Sequence, residues 1–159
     1  DVTLDLQNEN AAAHDITDLK NNQERLIHKK NILDAISYAA TILMSSLSDD
    51  AIHNAITRIG TAVDVSRAYI FTHSYSSEGT SLISQTYEWT KQGIYPQIQN
   101  PALQNLAWEE IGYARWAHVL MNGGVISGIV NDFPSEEQPI LVEQDIKSTT
   151  VTATFKYNF

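Results

Sequence analysis

Between Asp15 and Leu47 the chain contains neither glycine nor proline, and apolar residues recur there at seven-residue intervals. Leu19, Leu26, Leu33, Ala40 and Leu47 occupy one seam position, while Asn22, Lys29, Ile36 and Leu43 occupy the other. A period of this kind places one stripe along a helix and admits little else. Asp15-Ile16-Thr17-Asp18 supplies the start, with short polar side chains for the cap and acidic groups near the positive end of the helix. The seam is polar in its first half and apolar in its second. Two readings follow. It is the interface of a parallel homodimer, with Asn22 and Lys29 setting register, or the inner face of a long helix packed on its own domain.

Residues 1–14 alternate at Val2, Leu4 and Leu6 before the polar run Gln7–Asn10 and three alanines. That pattern suits the last hairpin of a preceding domain, turned at Asn8–Asn10; since a lone hairpin is marginal in water, a helix is the alternative. Ser48-Asp49-Asp50 breaks the long helix and caps a second, whose face is Ala51, Ile52, Ala55, Ile56, Ile59 and Val63. Arg67–His73 reads as a buried strand and Leu82–Trp89 as its hairpin partner. Residues 91–115 read as loop with short helical pieces, and Trp116–Met121 as a short helix stopped by Asn122-Gly123-Gly124. Val125–Val130 is a third strand. Ser135 with Gln138 suggests a capping box opening a helix through Gln144. Val151, Ala153, Phe155, Tyr157 and Phe159 alternate with polar residues as a half-buried strand. This order predicts an α+β domain, an antiparallel sheet with helices on one face, preceded by a long helix.

Composition excludes several functions. Ten Lys and Arg against nineteen Asp and Glu give a net charge of -9, which argues against nucleic-acid backbones and anionic bilayers as partners. With no cysteine there is no disulfide, thiolate zinc site or thiol nucleophile. No apolar run is long enough for a membrane span, so a cytoplasmic location is expected. His14, His28, His53, His73 and His118 share no ligand spacing, and no metal site is expected. Asp132, Glu136 and Glu137 cluster near a helix start, where capping is the expected role in place of acid–base chemistry. No catalytic residue is assigned.

The order and wording of the segments resemble the GAF family of sensory domains. The cues are Arg67-Ala-Tyr-Ile-Phe71, Gln85-Thr-Tyr-Glu-Trp89, Ile98-Gln-Asn-Pro-Ala-Leu-Gln-Asn-Leu106, Gly112-Tyr-Ala-Arg-Trp116, Ile126–Pro134 and Glu143–Ser148. Ala13-His-Asp-Ile-Thr-Asp-Leu-Lys20 is similar to the segment by which PAS domains pass into a signalling helix. The resemblance implies a PAS tail over 1–16, a signalling helix over 17–47 and a GAF-like domain over 48–159. It further implies a bacterial or archaeal sensor protein, such as a histidine kinase of a two-component system. Family members continue with an aromatic–glycine strand after the point where this chain ends, so the domain is expected to be truncated, and both ends read as cut from a longer chain.

In liganded relatives the segments over the sheet line a small-molecule pocket. Here they carry Tyr87, Trp89, Tyr95, Trp108, Tyr113, Trp116 and Phe133. Those aromatics either surround an effector or fill a helix-poor core. No cofactor is identifiable: bilin attachment and methionine-sulfoxide reduction both call for cysteine in this family. The expected function is a non-catalytic sensory domain binding an unassigned small effector and relaying through the helix. The alternative is a ligand-free dimerisation spacer in a sensor kinase.

Overall fold

The computed structural model describes the backbone of residues 2–153 and the side chains of residues 16–153. The glycine-free stretch folds as helix α1, Val2–Ser45. It therefore includes the segment where a hairpin was one of the two readings, and it stops two residues short of Leu47. The helix ends where Ser45 and Ser46 hydroxyls compete for backbone: Ser45 Oγ donates to the Ile42 carbonyl at 2.7 Å, and Ser46 Oγ accepts the Ser48 N–H at 3.1 Å. Ser48 then caps α2, Asp49–Val63, its hydroxyl accepting the Ala51 N–H, with Asp49 and Asp50 in the first turn. Asp64 closes α2 in the left-handed conformation at φ 58°.

Two compact units are present, one made of residues up to 68 with 88–95, the other of 69–87 with the residues from 96 onward. In the first, α1 packs on α2. Ala35 and Ala39 are buried on α1, Ala51 and Ala55 on α2, and small side chains let two helix backbones approach closely. Gly60 serves the same end. A Cβ there would come within 2.4 Å of the Trp89 ring. Arg67 donates from Nη2 to the Tyr95 carbonyl at 2.9 Å and lies 3.7 Å from the Glu88 carboxylate.

The hairpin of β1 (Arg67–Tyr75) and β2 (Ser81–Thr90), whose residues 69–87 belong to the second unit, carries a short third strand, β3 (Leu106–Ala107), antiparallel to β2. The hairpin turn is closed by Ser76, whose N–H donates to the Thr80 carbonyl at 2.9 Å. Helix α3 (Ala114–Met121) precedes β4 (Val125–Ile129), and α4 (Pro139–Glu143) precedes β5 (Ser148–Thr152). β4 and β5 form a separate antiparallel pair, in register from Val125↔Thr152 to Ile129↔Ser148. Phe155, Tyr157 and Phe159 of the last predicted strand lie outside the described residues. The core of this unit is Tyr113, Trp116, Leu120, Ile126, Val130 and Leu141. The architecture is α+β, a long N-terminal helix followed by antiparallel sheets and helices.

The predicted capping box is absent. Ser135 lies inside a single 3-10 turn, Ser135–Glu137, and its hydroxyl faces the Glu136 carboxylate at 3.3 Å. Gln138 turns the other way, its amide donating to the Phe133 carbonyl at 2.7 Å. Pro139 starts α4 one residue later, because its ring is accommodated only at the first turn.

Gly112 shows why this loop tolerates no side chain. Its φ is +79°, and a Cβ would lie 2.3 Å from the Glu136 carbonyl oxygen. Gly112→Ala is expected to cost more than about 1 kcal/mol, read as a lowered urea midpoint at unchanged slope, since neither the backbone angle nor a main-chain oxygen can yield cheaply.

Candidate functional site

Alternation in β1 places Tyr69 and Phe71 on one face of the sheet. Their rings meet edge to face at 5.6 Å. Ile83 comes from β2, Leu103 from the 3-10 turn Pro101–Leu103, and Leu106 from β3. On α3, Trp116 and Leu120 are four apart and so share a face. With Trp108, Tyr113, Leu141 and Val151 these side chains line a cavity of about 70 Å³. Among the described residues no charged side chain lines it, and Gln144 brings an amide to the wall.

Trp116 is the most constrained member. It stacks on Tyr113 at 4.4 Å with 14° between the rings, and meets Phe133 edge-on at 5.8 Å. Its indole N–H donates to Glu137 Oε2 at 2.7 Å. Arg115 grips the same carboxylate with two bonds, Nε to Oε1 at 2.7 Å and Nη2 to Oε2 at 2.6 Å. Glu137 is only 1% exposed. Its role is thus not helix capping. Burial alone would push the Glu137 carboxyl up, but the bonds from Arg115 and Trp116 outweigh it and hold the group below the usual carboxylate range. The bond to Glu137 likewise raises Arg115.

Other buried polar groups of this unit lack such partners among the described residues. The Tyr113 hydroxyl and the Trp108 indole N–H are buried without a hydrogen-bond partner among the described residues. The Gln85 side-chain amide, 3% exposed, is in the same condition. Burial, with the nearby Tyr69 and Glu137, pushes the Tyr113 hydroxyl far above its ordinary range, so it remains a neutral donor.

Of the seven predicted aromatics the structure gathers Trp108, Tyr113 and Trp116 at the cavity. Phe133 packs behind Trp116 and over Gly128. Tyr87 is half-buried in β2 but is not part of the wall. Trp89 covers Gly60 in the other unit, and Tyr95 is 79% exposed. Tyr69 and Phe71 join them, and the sequence signal for these two is their alternation within a predicted strand. Nothing local signals their link to the distant 108–116 segment.

The seam on α1 is uncovered. Leu19, Leu26, Leu33 and Ile36 are each more than half exposed, Ala40 is exposed and Leu43 half-buried. Leu47 is exposed and lies beyond the helix. The face that packs on α2 instead carries Ile32, Ala35, Ala39 and Ile42, one residue before Leu33, Ile36, Ala40 and Leu43. A one-residue step is about 100° around a helix, so the two stripes are neighbours and distinct.

Among the described residues no group of three or more His, Asp or Glu side chains is placed to hold a metal ion. No helix among them is long and apolar enough to cross a membrane. No family model matches the chain. The chain is 34% identical over 144 residues to the methanogenesis regulatory histidine kinase FilI of Methanothrix harundinacea strain 6Ac, a match that covers 90% of this chain and 16% of that protein. Nearly the whole chain is therefore similar to one segment of a much longer regulatory kinase.

Proposed function

We propose that the chain is a sensory or regulatory domain of a signal-transduction protein, GAF-like over 48–159, and non-catalytic in itself. The observation that carries this reading is the 34% identity over 90% of the chain to a segment of a regulatory histidine kinase. The apolar cavity lined by Tyr69, Phe71, Trp108, Tyr113 and Trp116 supports a small-molecule effector, because space left beside large rings gains packing contacts when it is filled. Effector binding would bias α1 between two registers or rotations, which the kinase region of the parent protein would read. A thermal-melt screen against small metabolites tests this. A specific effector at one hundred times its Kd should raise stability by about 2.7 kcal/mol. A blank screen would leave the spacer reading in possession.

A homodimer through α1 is part of the same proposal, and it is what the spacer reading also needs. The uncovered row Leu19, Leu26, Leu33 and Ile36 favours it, since apolar residues at seam spacing are stabilised by a facing helix. Replacing both Leu33 and Ile36 with lysine is expected to convert a dimer into a monomer in sedimentation equilibrium. An unchanged dimer mass would remove the seam as the interface.

A further inference from the structure

Over 22–33 the seam of α1 and its two flanks carry Arg25, Lys29 and Lys30 and no carboxylate, in a chain whose net charge is -9. Lys29 stands in the seam itself, between Leu26 and Leu33. Arg25 and Lys30 fall to either side of it, each about 70° round the helix from the middle of the stripe. All three cations are exposed, as are Leu26 and Leu33. Arg25 and Lys29 are four apart, so like charges already neighbour one another within one helix. The nearby carboxylates, Glu24 and Asp34, lie more than about 100° round the helix from the middle of the stripe. Among the described residues none of the three cations is in an ion pair.

We infer that two copies paired through this seam bind a compact polyphosphate anion between Arg25, Lys29 and Lys30 of both helices. The site rests on the homodimer proposed above and is incomplete without the second copy. In a parallel pair each seam position meets its own equivalent, so Lys29 faces Lys29 of the second copy. The flanks meet across the stripe five residues apart, so Arg25 of each helix faces Lys30 of the other. These six cations occupy about 7.5 Å of helix axis, less than a Debye length at physiological ionic strength. Flanking pairs of this kind ordinarily join opposite charges. Here both pairs are like-charged, and nothing in the stripe offsets them.

A lysine in the seam would by itself fix register at some loss of stability. Arg25 and Lys30 are not needed for that, and they add repulsion at the same level. On a single helix all three are solvated and cost little. The penalty arises on pairing, and a multivalent anion removes it.

Charge and size set the class of that anion. A monovalent ion offsets too little of six positive charges. A nucleic-acid strand or an anionic bilayer would press its phosphates against an otherwise acidic chain, which repels them. A compact anion with several charged oxygens meets lysine and arginine together through charge-assisted hydrogen bonds. It binds the paired helices and not the single one, so it tightens the dimer by mass action.

Sedimentation equilibrium of the chain in sodium chloride and in sodium pyrophosphate at equal ionic strength tests this. At ten times its Kd for the site, pyrophosphate should tighten dimerisation about tenfold relative to chloride. Lys29→Leu should tighten the dimer in chloride, where repulsion alone is relieved, and abolish most of the response to pyrophosphate. Arg25→Glu sets a carboxylate opposite Lys30 of the second copy and should act in the same direction. Both positions are exposed on α1, so neither variant repacks the core of the chain. ATP forms a second arm. Tightening by pyrophosphate alone, or by both, keeps the inference as a free polyphosphate or a nucleotide tail; tightening by ATP alone overturns it, since a base would then be what is read. A wild-type dimer no tighter in pyrophosphate than in chloride overturns the inference and leaves the seam dimer standing. Tightening that survives in the double variant Lys29→Leu with Arg25→Gln overturns it too, because the anion then binds elsewhere. A chain that stays monomeric in both salts removes the homodimer reading, and this site with it.

Discussion

Trp116→Ala is expected to destabilise the fold by about 3–5 kcal/mol, the range for a fully packed large aromatic, even though Trp116 borders a cavity. Three contacts set that size. The indole stacks on Tyr113, meets Phe133 edge-on and is 4% exposed, so most of its surface is packed. Its N–H also serves Glu137, and losing it removes one of the bonds that keep a buried carboxylate solvated by protein. Residual space next to the ring is about 70 Å³ and would merge with the hole left by the deletion, which argues against cheap collapse. Urea denaturation of wild type and Trp116→Ala gives the number. A loss below about 2 kcal/mol would show that the ring is loosely held and mainly a pocket wall.

Arg115→Met should be nearly as costly, about 3–5 kcal/mol, because it strips the partner from a charge that is 1% exposed. The arginine is half-exposed and gives up little by being replaced; the cost falls on Glu137. The companion variant Arg115→Met with Glu137→Gln should recover much of the loss, since a neutral amide no longer needs a counter-ion and still accepts from Trp116. A double-mutant cycle measures this directly. The same pair makes a pH prediction. The folded-state pKa of Glu137 is lowered, so its contribution is fully present above the unfolded value near 4.5 and is lost as pH falls through the folded value. Thermal stability of the wild type should therefore drop on acidification below about pH 4.5, and that part of the slope should vanish in Glu137→Gln. A wild-type melting temperature that is flat down to pH 3 would contradict the assigned bonding.

The two units divide in how far their chemistry was visible beforehand. In the first, the absence of glycine and proline over 15–47 and the Ser48-Asp49-Asp50 break are local signals, and local signals are enough to form a helix and end it. Apolar runs flanking a polar, glycine-containing loop marked the hairpin strands for the same reason, whereas the last strand, expected over 151–159, is seen at Ser148–Thr152 and its residues 154–159 lie outside the described ones. The aromatic density of 108–116 likewise announced a buried segment, since large rings seek cover whatever they cover.

What sequence periodicity could not assign was partnership. The heptad on α1 names a stripe, but a neighbouring stripe one residue away, built on Ala35 and Ala39, is the one α2 takes, because alanines allow closer approach than leucines do. Trp89 and Tyr95 look like pocket residues in the chain and are carried elsewhere by β2 and the loop after it. Glu137 reads as a helix-start acid, next to Glu136 and five residues after Asp132. Its burial depends on Arg115 and Trp116, more than twenty positions upstream, arriving beside it when α3 packs. Helices and strands were decided by residues a few positions apart. The cavity, the buried ion pair and the choice of helix face were decided by side chains that only folding brings together, and no pattern along one chain encodes which distant groups will meet.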